Sequence, residues 1–121
     1  MNPIGTCHSH DSFFRSFFVL LLFFFQYLYT PLHIAAVNDK IEAVAVLIYH
    51  GAFVNARDEY GATPLMRASR NGHAKVVKRL LNAGADKELK ATSGYNKGNT
   101  ALDNARRENK GDVVAILEGR R

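Results

Sequence analysis

The chain has 121 residues, a formal net charge of +5 at pH 7 and one cysteine, Cys7. This length suits one domain, and a hydrophobic fraction of 47% argues against a chain that is disordered throughout. A lone cysteine excludes an intrachain disulfide, which fits a reducing compartment. The basic residues alternate with acidic ones, so the charge pattern indicates a solvated surface rather than a basic stripe for nucleic acid.

The first two segments are a polar N-terminus, residues 1–12, which we expect to be disordered, and a predicted hydrophobic helix, residues 13–29. Seven of the eight phenylalanines lie before residue 26. Four interpretations of this helix stay open. It could be a membrane anchor that leaves the rest of the chain cytoplasmic, or a secretory signal peptide. It could also cap the open side of the next element, or be a misread start on a fragment of a longer protein.

After residue 29 the sequence repeats itself. The segment TPLHIAA at 30–36 recurs as TPLMRAS at 63–69, an offset of 33 positions. The tripeptide HGA at 50–52 recurs as AGA at 83–85 with the same offset. Two matches in one register indicate a repeat architecture.

A third copy begins with TALDNA at 100–105, which lies 37 positions after its counterpart at 63. The four additional residues fall in the loop TSGYNKGN at 92–99, where two glycines favour a turn. We therefore place three repeats at 30–59, 60–92 and 93–121, the last with the polar outer side of a C-terminal cap.

The second copy shows what each repeat should form. Thr63 can cap a helix, Pro64 suits its first position, and Gly72 ends it. A second helix follows, and Gly84 closes it. Its apolar stripe consists of Val76, Val77, Leu80 and Leu81. The predicted unit is helix, turn, helix and an extended loop.

With this period, the TPLHIAA signature and Gly-Ala after the second helix, the chain resembles ankyrin repeats. The resemblance implies an all-α solenoid of helix-turn-helix units with loop or β-turn fingers. It also implies that His33 is a structural, hydrogen-bonded histidine. Met66 and Asp103 replace histidine at the equivalent positions, and the change at Met66 predicts a looser interface between repeats.

No catalytic motif is present: the sequence contains no P-loop, G-x-G-x-x-G, H-E-x-x-H or G-x-S-x-G. The stretch Cys7-His8-Ser9-His10 has no second ligand pair nearby, which structural zinc requires. We therefore predict neither an enzyme nor a cofactor nor a metal site.

The family resemblance implies a module that binds a protein partner, of unknown identity, through its concave face and loop tips. Tyr60 and Tyr95 are the predicted anchors, because aromatic side chains carry much interface energy. The other predicted partner-binding residues are Arg57, Asp58, Met66, Arg67, Arg70, Lys97, Asn104 and Arg107. Further loop tips are Glu59, Lys90, Thr92 and Asn96.

Several further expectations concern partners and location. We expect a monomer with no small-molecule substrate and with cytoplasmic repeats, tethered to a membrane if residues 13–29 are an anchor. The alternative function is binding of nucleic acid or an anionic surface through the basic repeats, which a steep salt dependence would reveal.

Overall fold

A computed structural model describes residues 29–120 as three helical hairpins, with no strand among those residues. The helices are α1 Pro31–Val37, α2 Ile41–Tyr49, α3 Pro64–Asn71, α4 Ala74–Asn82, α5 Ala101–Arg107 and α6 Gly111–Leu117. The predicted all-α class is confirmed.

The predicted polar N-terminus lies outside the described residues, as does the predicted hydrophobic helix up to residue 28. Tyr29, its last residue, is described and belongs to no helix. Between residues 29 and 120, none of the helices has the length and apolar character required to cross a bilayer.

A threonine begins the first helix of every hairpin. Thr30, Thr63 and Thr100 have extended backbones, and each hydroxyl accepts a hydrogen bond from the backbone N–H three residues later. Each bond satisfies one of the orphan donors of a helix N-terminus. A proline follows the first two threonines, where a residue without an N–H costs nothing. The capping predicted from the repeated threonine is confirmed.

The turn inside each hairpin uses one residue in the left-handed conformation. Gly72 has φ +74°, and Asp39 and Asn109 at the equivalent positions have φ +57°. Glycine, asparagine and aspartate are the residues that tolerate this region most readily. The Asn-Gly signal of the second copy is thus one case of a turn that all three copies share.

The hairpins stack into two layers. One layer contains α1, α3 and α5, and the other contains α2, α4 and α6, with each helix contacting its neighbour in the same layer and its hairpin partner. The side chains between the layers are small or branched, which allows close approach. The larger buried members are Leu32, Val44, Leu65, Val76, Val77, Leu80, Val113 and Leu117.

Two loops project from the stack, which we call the first finger, residues 56–62, and the second finger, residues 90–99. A β-turn shapes the first, because the Gly61 N–H donates to the Asp58 carbonyl at 2.8 Å. The second closes through the Gly98 N–H, which donates to the Ala91 carbonyl at 2.8 Å. The Thr92 N–H donates to the Tyr60 carbonyl at 2.9 Å, so the fingers support each other.

Hydrogen bonds of the buried His33 side chain connect the first hairpin to the first finger. His33 Nδ1 accepts from the Thr30 N–H at 3.2 Å, and Nε2 lies 2.8 Å from the Ala62 carbonyl oxygen. These contacts fit a neutral ring that carries its proton on Nε2, and burial lowers the pKa of His33. The predicted structural role of His33 is confirmed.

The outer side of α2 and the loop after it are unusually apolar. Tyr49 and Phe53 are 86% and 82% exposed, and Val46 beside them is also exposed. We call these three residues the outer apolar surface. The equivalent residues of the second repeat, 33 positions later, are Arg79, Asn82 and Asp86, which are exposed as well. Stacking of another repeat therefore does not cover these positions.

Candidate functional site

Two adjoining clefts run along the side of the stack where the fingers meet α1, α3 and α5. They have volumes of about 210 Å³ and 370 Å³ and share Tyr60, Arg67 and Arg70. Because the shared residues join them, we treat both as one groove. The smaller cleft is lined further by Ala62, Met66, Ala91, Ser93, Tyr95, Asn96 and Asn104, and the larger one by Tyr29, Val37, Asp58, Glu59 and Asn71.

The smaller cleft has an apolar floor between aromatic walls. Buried Met66 and Ala91 contribute to the floor, and Tyr60 and Tyr95 are exposed beside it. Gly94 allows this arrangement, because it has φ +74° and a Cβ there would lie 2.8 Å from the Tyr60 ring. The second finger can therefore lie directly against Tyr60.

Asp58 organises the first finger from within. Its Oδ1 accepts from the backbone N–H groups of Tyr60 at 2.9 Å and Ala62 at 3.0 Å. Its Oδ2 accepts from the Arg67 guanidinium, at 3.1 Å from Nε and 2.5 Å from a terminal nitrogen. Asp58, predicted as a partner-binding residue at a loop tip, is only 1% exposed, so its carboxylate is buried in the finger instead. Oδ1 binds the turn and Oδ2 binds Arg67, and together these bonds hold the side chain inside the protein.

Arg67 lies between two tyrosine rings. The centre of its guanidinium is 6.0 Å from the centroids of Tyr29 and Tyr60, a distance at which cation–π attraction still acts. Burial raises the pKa of the Tyr29 phenol, and the Arg67 charge opposes that rise. Because Asp58 pairs with Arg67 as well, this guanidinium is fixed in place and its charge is compensated.

Arg107 is held at the other end of the groove. Its guanidinium lies 4.1 Å from the Tyr95 ring centroid and donates to Asn96 Oδ1 at 2.9 Å. Both partners are neutral. Arg70, one repeat earlier at the same helix position, lies 3.8 Å from Glu108, and both of those side chains are about 40% exposed. Such a long, solvated pair contributes little.

The structure brings six of the ten predicted partner-binding residues together. Tyr60, Met66, Arg67, Arg70, Tyr95 and Asn104 line the smaller cleft. Arg107 contacts the Tyr95 wall, and Lys97 is exposed on the second finger. The part that each plays in binding a partner stays a prediction.

Three of the predicted partner-binding residues have supporting positions and do not project toward a partner: Arg57, Met66 and Asn104. Arg57 donates to the carbonyls of Gly61 at 3.1 Å and Lys90 at 3.0 Å, so it connects the two fingers. Met66 and Asn104 are buried, at 2% and 3% exposure, because helix packing covers them. Their side chains form part of the floor of the smaller cleft and do not project from it.

The sequence analysis missed Tyr29 as a groove residue. Tyr29 stacks on His33 with ring centroids 5.3 Å apart and faces Arg67. Its only local signal was an aromatic residue directly before the capping Thr30. Tyr29 also ends the apolar segment 13–29, so it was assigned to the predicted hydrophobic helix. The repeat pattern did not indicate its role either, because its counterpart in the second repeat is Ala62.

The groove has a mixed lining of aromatic, basic and polar side chains. It offers phenol rings, guanidinium groups and side-chain amides, and no histidine among the described residues lines it. Within residues 29–120, no group of three or more histidine, cysteine, aspartate or glutamate side chains could hold a metal ion.

Comparison with known proteins agrees with the fold. The family model described as "Ankyrin repeats (3 copies)" matches residues 18–91. This match begins inside the apolar segment and ends before the third hairpin. The third hairpin follows the same pattern of threonine cap, left-handed turn and stacking as the other two.

Similar proteins come from distant organisms. A protein of Rickettsia bellii described as an ankyrin repeat protein is 43% identical over 74 residues, which cover 60% of this chain and 31% of that protein. The ankyrin repeat and SAM domain-containing protein 6 of Rattus norvegicus is 43% identical over 61% of this chain and 8% of its own length. A palmitoyltransferase of Kluyveromyces lactis is 42% identical over 59% of this chain and 10% of its own length. The chain thus spans less than a third of each of these relatives.

Proposed function

Because this chain belongs to the ankyrin repeat family, we propose that it is an interaction module that binds a protein partner through the groove and the two fingers. The ankyrin repeat is an interaction fold without catalysis of its own. Enzymatic names among the relatives, such as the palmitoyltransferase, belong to much longer proteins of which this chain matches a small part.

The observation that supports the proposal is the continuous groove, in which the exposed Tyr60 and Tyr95 lie on two fingers that are hydrogen-bonded to each other. Tyr95 is 77% exposed, although its neighbours in the second finger are hydrogen-bonded to each other and to Tyr60. A preformed aromatic side chain loses little conformational entropy on binding. Tyrosine and arginine are also the residue types enriched at energetic hot spots.

We assign different roles to the predicted residues. Tyr60 and Tyr95 act as the apolar anchors, and Arg70, Lys97 and Arg107 supply charge at the rim. The buried residues keep the groove in shape: Asp58 and Arg67 fix the first finger, Arg57 joins the fingers, and Met66 and Asn104 form the floor.

A photo-crosslinking experiment tests this assignment. A photoreactive phenylalanine derivative replaces Tyr95 in the full chain, and in a matched control it replaces Tyr49 of the outer apolar surface. Both tyrosines are highly exposed, so they differ in location rather than access. After irradiation in extracts from cells that express the protein, we expect a discrete protein adduct from position 95 and none from position 49.

Two results would count against the proposal. A discrete adduct from position 49 alone would place binding on the outer side of the stack. An adduct from position 95 that consists of nucleic acid would support the alternative function instead. In that case binding should fall steeply between 50 mM and 200 mM salt.

A further inference from the structure

We propose that the partner segment is acidic: it places a carboxylate on Arg107 and Arg70 and inserts a neighbouring apolar side chain into the smaller cleft. This inference rests on the proposed function and adds the chemistry of the partner. It follows from the difference between the two guanidinium sites of the groove.

The first site, at Arg67, is already occupied by a carboxylate of the chain itself. Asp58 takes two hydrogen bonds from Arg67, and the pair is nearly buried. A second carboxylate there would have to displace Asp58 and disrupt the turn of the first finger. Arg67 therefore belongs to the framework, and it does not select the partner.

The second site, at Arg107, also has a guanidinium beside a tyrosine ring, but its hydrogen-bond acceptor is the neutral amide of Asn96. Among residues 29–120, the ion pairs of the structure do not include Arg107. The Tyr95 ring and the Asn96 amide oxygen hold its guanidinium in a fixed orientation while leaving its charge uncompensated. A guanidinium fixed in this way is prepared for the two parallel hydrogen bonds that a carboxylate accepts.

The surroundings of Arg107 increase the positive potential. Lys97 lies on the second finger, as Tyr95 does. The charged partner of Arg70 is Glu108, at a distance of 3.8 Å. Two acidic side chains, Glu108 and Asp103 one helical turn before Arg107, thus stand beside three basic ones at this end of the groove, counting Arg107. Electrostatic complementarity of this kind speeds encounter and fixes orientation.

The adjoining cleft indicates what accompanies the carboxylate. Its floor combines the apolar side chains of Met66, Ala62 and Ala91 with the amide of Asn104, and its volume of about 210 Å³ accommodates one side chain of moderate size. Tyr95 forms one of its walls and also carries Arg107, so the apolar pocket and the charged site are neighbours. A peptide in which leucine or a similar residue lies beside aspartate or glutamate fits both.

Nucleic acid fits this surface less well. Stacking of bases requires open aromatic faces, and Arg107 covers one face of the Tyr95 ring while the second finger lies against Tyr60. Glu59 and Glu108 are also exposed along the groove and would repel a continuous phosphate backbone. A single carboxylate avoids both obstacles.

The test is selection of a randomised nonapeptide display library on the immobilised full chain, followed by anisotropy measurements with the enriched peptides. We expect enrichment of peptides that combine aspartate or glutamate with one large apolar residue. Arg107→Gln should weaken their binding about 10-fold, since a charge-assisted pair is lost. Arg107→Lys should give an intermediate loss, and Arg79→Gln, an exposed arginine on α4, should give none. Circular dichroism melts confirm that each variant is folded.

The outcomes separate this inference from the proposed function. If the enriched peptides are basic or uncharged, or if Arg107→Gln has no effect while Tyr95→Ala abolishes binding, the groove binds peptides but the acidic preference is wrong. If neither substitution affects any enriched peptide, both proposals fail. Tighter binding of a thymidine 20-mer than of any peptide, lost in Arg107→Gln, would also overturn the acidic-peptide inference.

Discussion

Removal of the Asp58 carboxylate should unfold the first finger and destabilise the whole stack. The structure shows what is lost in Asp58→Ala: two backbone N–H groups lose their acceptor, and Arg67, which is 19% exposed, loses its counter-charge. Breaking a buried ion pair from one side costs about 3–5 kcal/mol, because the remaining charge is left unpaired. Asp58→Asn keeps an acceptor for the N–H groups, and we expect about half that loss.

Urea unfolding of the full chain, followed by circular dichroism at 222 nm, measures this loss as a lower midpoint with an unchanged slope. Glu59→Ala is the matched control, because the adjacent side chain is exposed and such substitutions change stability by less than about 0.5 kcal/mol. If Asp58→Ala and Glu59→Ala have midpoints within error of each other, the carboxylate does not support the finger and our account of its burial is wrong.

Three other predictions concern the supports of the groove. Gly61→Ala should destabilise more than Gly51→Ala: both glycines have positive φ, but only at Gly61 would a Cβ collide with Thr92, at 2.2 Å from its hydroxyl oxygen. Equal urea midpoints would show that contact between the fingers is unimportant. For His33, whose pKa is lowered by burial from 6.5, the stabilising contribution is complete above pH 6.5 and is lost as the pH falls toward the lower folded value. Unfolding free energies should therefore decline more steeply between pH 7.5 and 5 in the native chain than in His33→Gln, and parallel profiles would contradict this. Ser69→Ala should raise stability by up to about 1 kcal/mol, because the buried hydroxyl has no hydrogen-bond partner in the described part of the chain. A lower thermal midpoint would instead show that the hydroxyl has a partner.

The helical framework could be predicted from the sequence because its signals are local. Threonine caps, proline after the cap and Asn-Gly at the turn each act within four residues, and the repeat places them in a fixed register. The first finger could not be predicted in the same way. Asp58 is buried by bonds to its own turn and to Arg67, nine residues later, and no short motif encodes that combination.

The second finger shows a different limit of sequence reasoning. Its four additional residues break the repeat register, so no counterpart in the other repeats indicates which side chain faces Tyr95. The resemblance to ankyrin repeats implied that this loop contributes Tyr95 as a tip and that the first helix of the third repeat contributes Arg107. That the two stack at 4.1 Å, and that Asn96 completes the arrangement, depends on tertiary placement.

The most direct test of the central claim is amide hydrogen exchange of the full chain with and without the tightest peptide from the library selection. If the groove is the binding surface, the peptide should slow exchange at residues 58–62 and 92–97 beyond the protection that their own hydrogen bonds provide. Exchange in the segment 46–53, which carries the outer apolar surface, should be unchanged. Protection confined to residues 46–53 would show that the apolar outer side of α2, and not the groove, binds the partner.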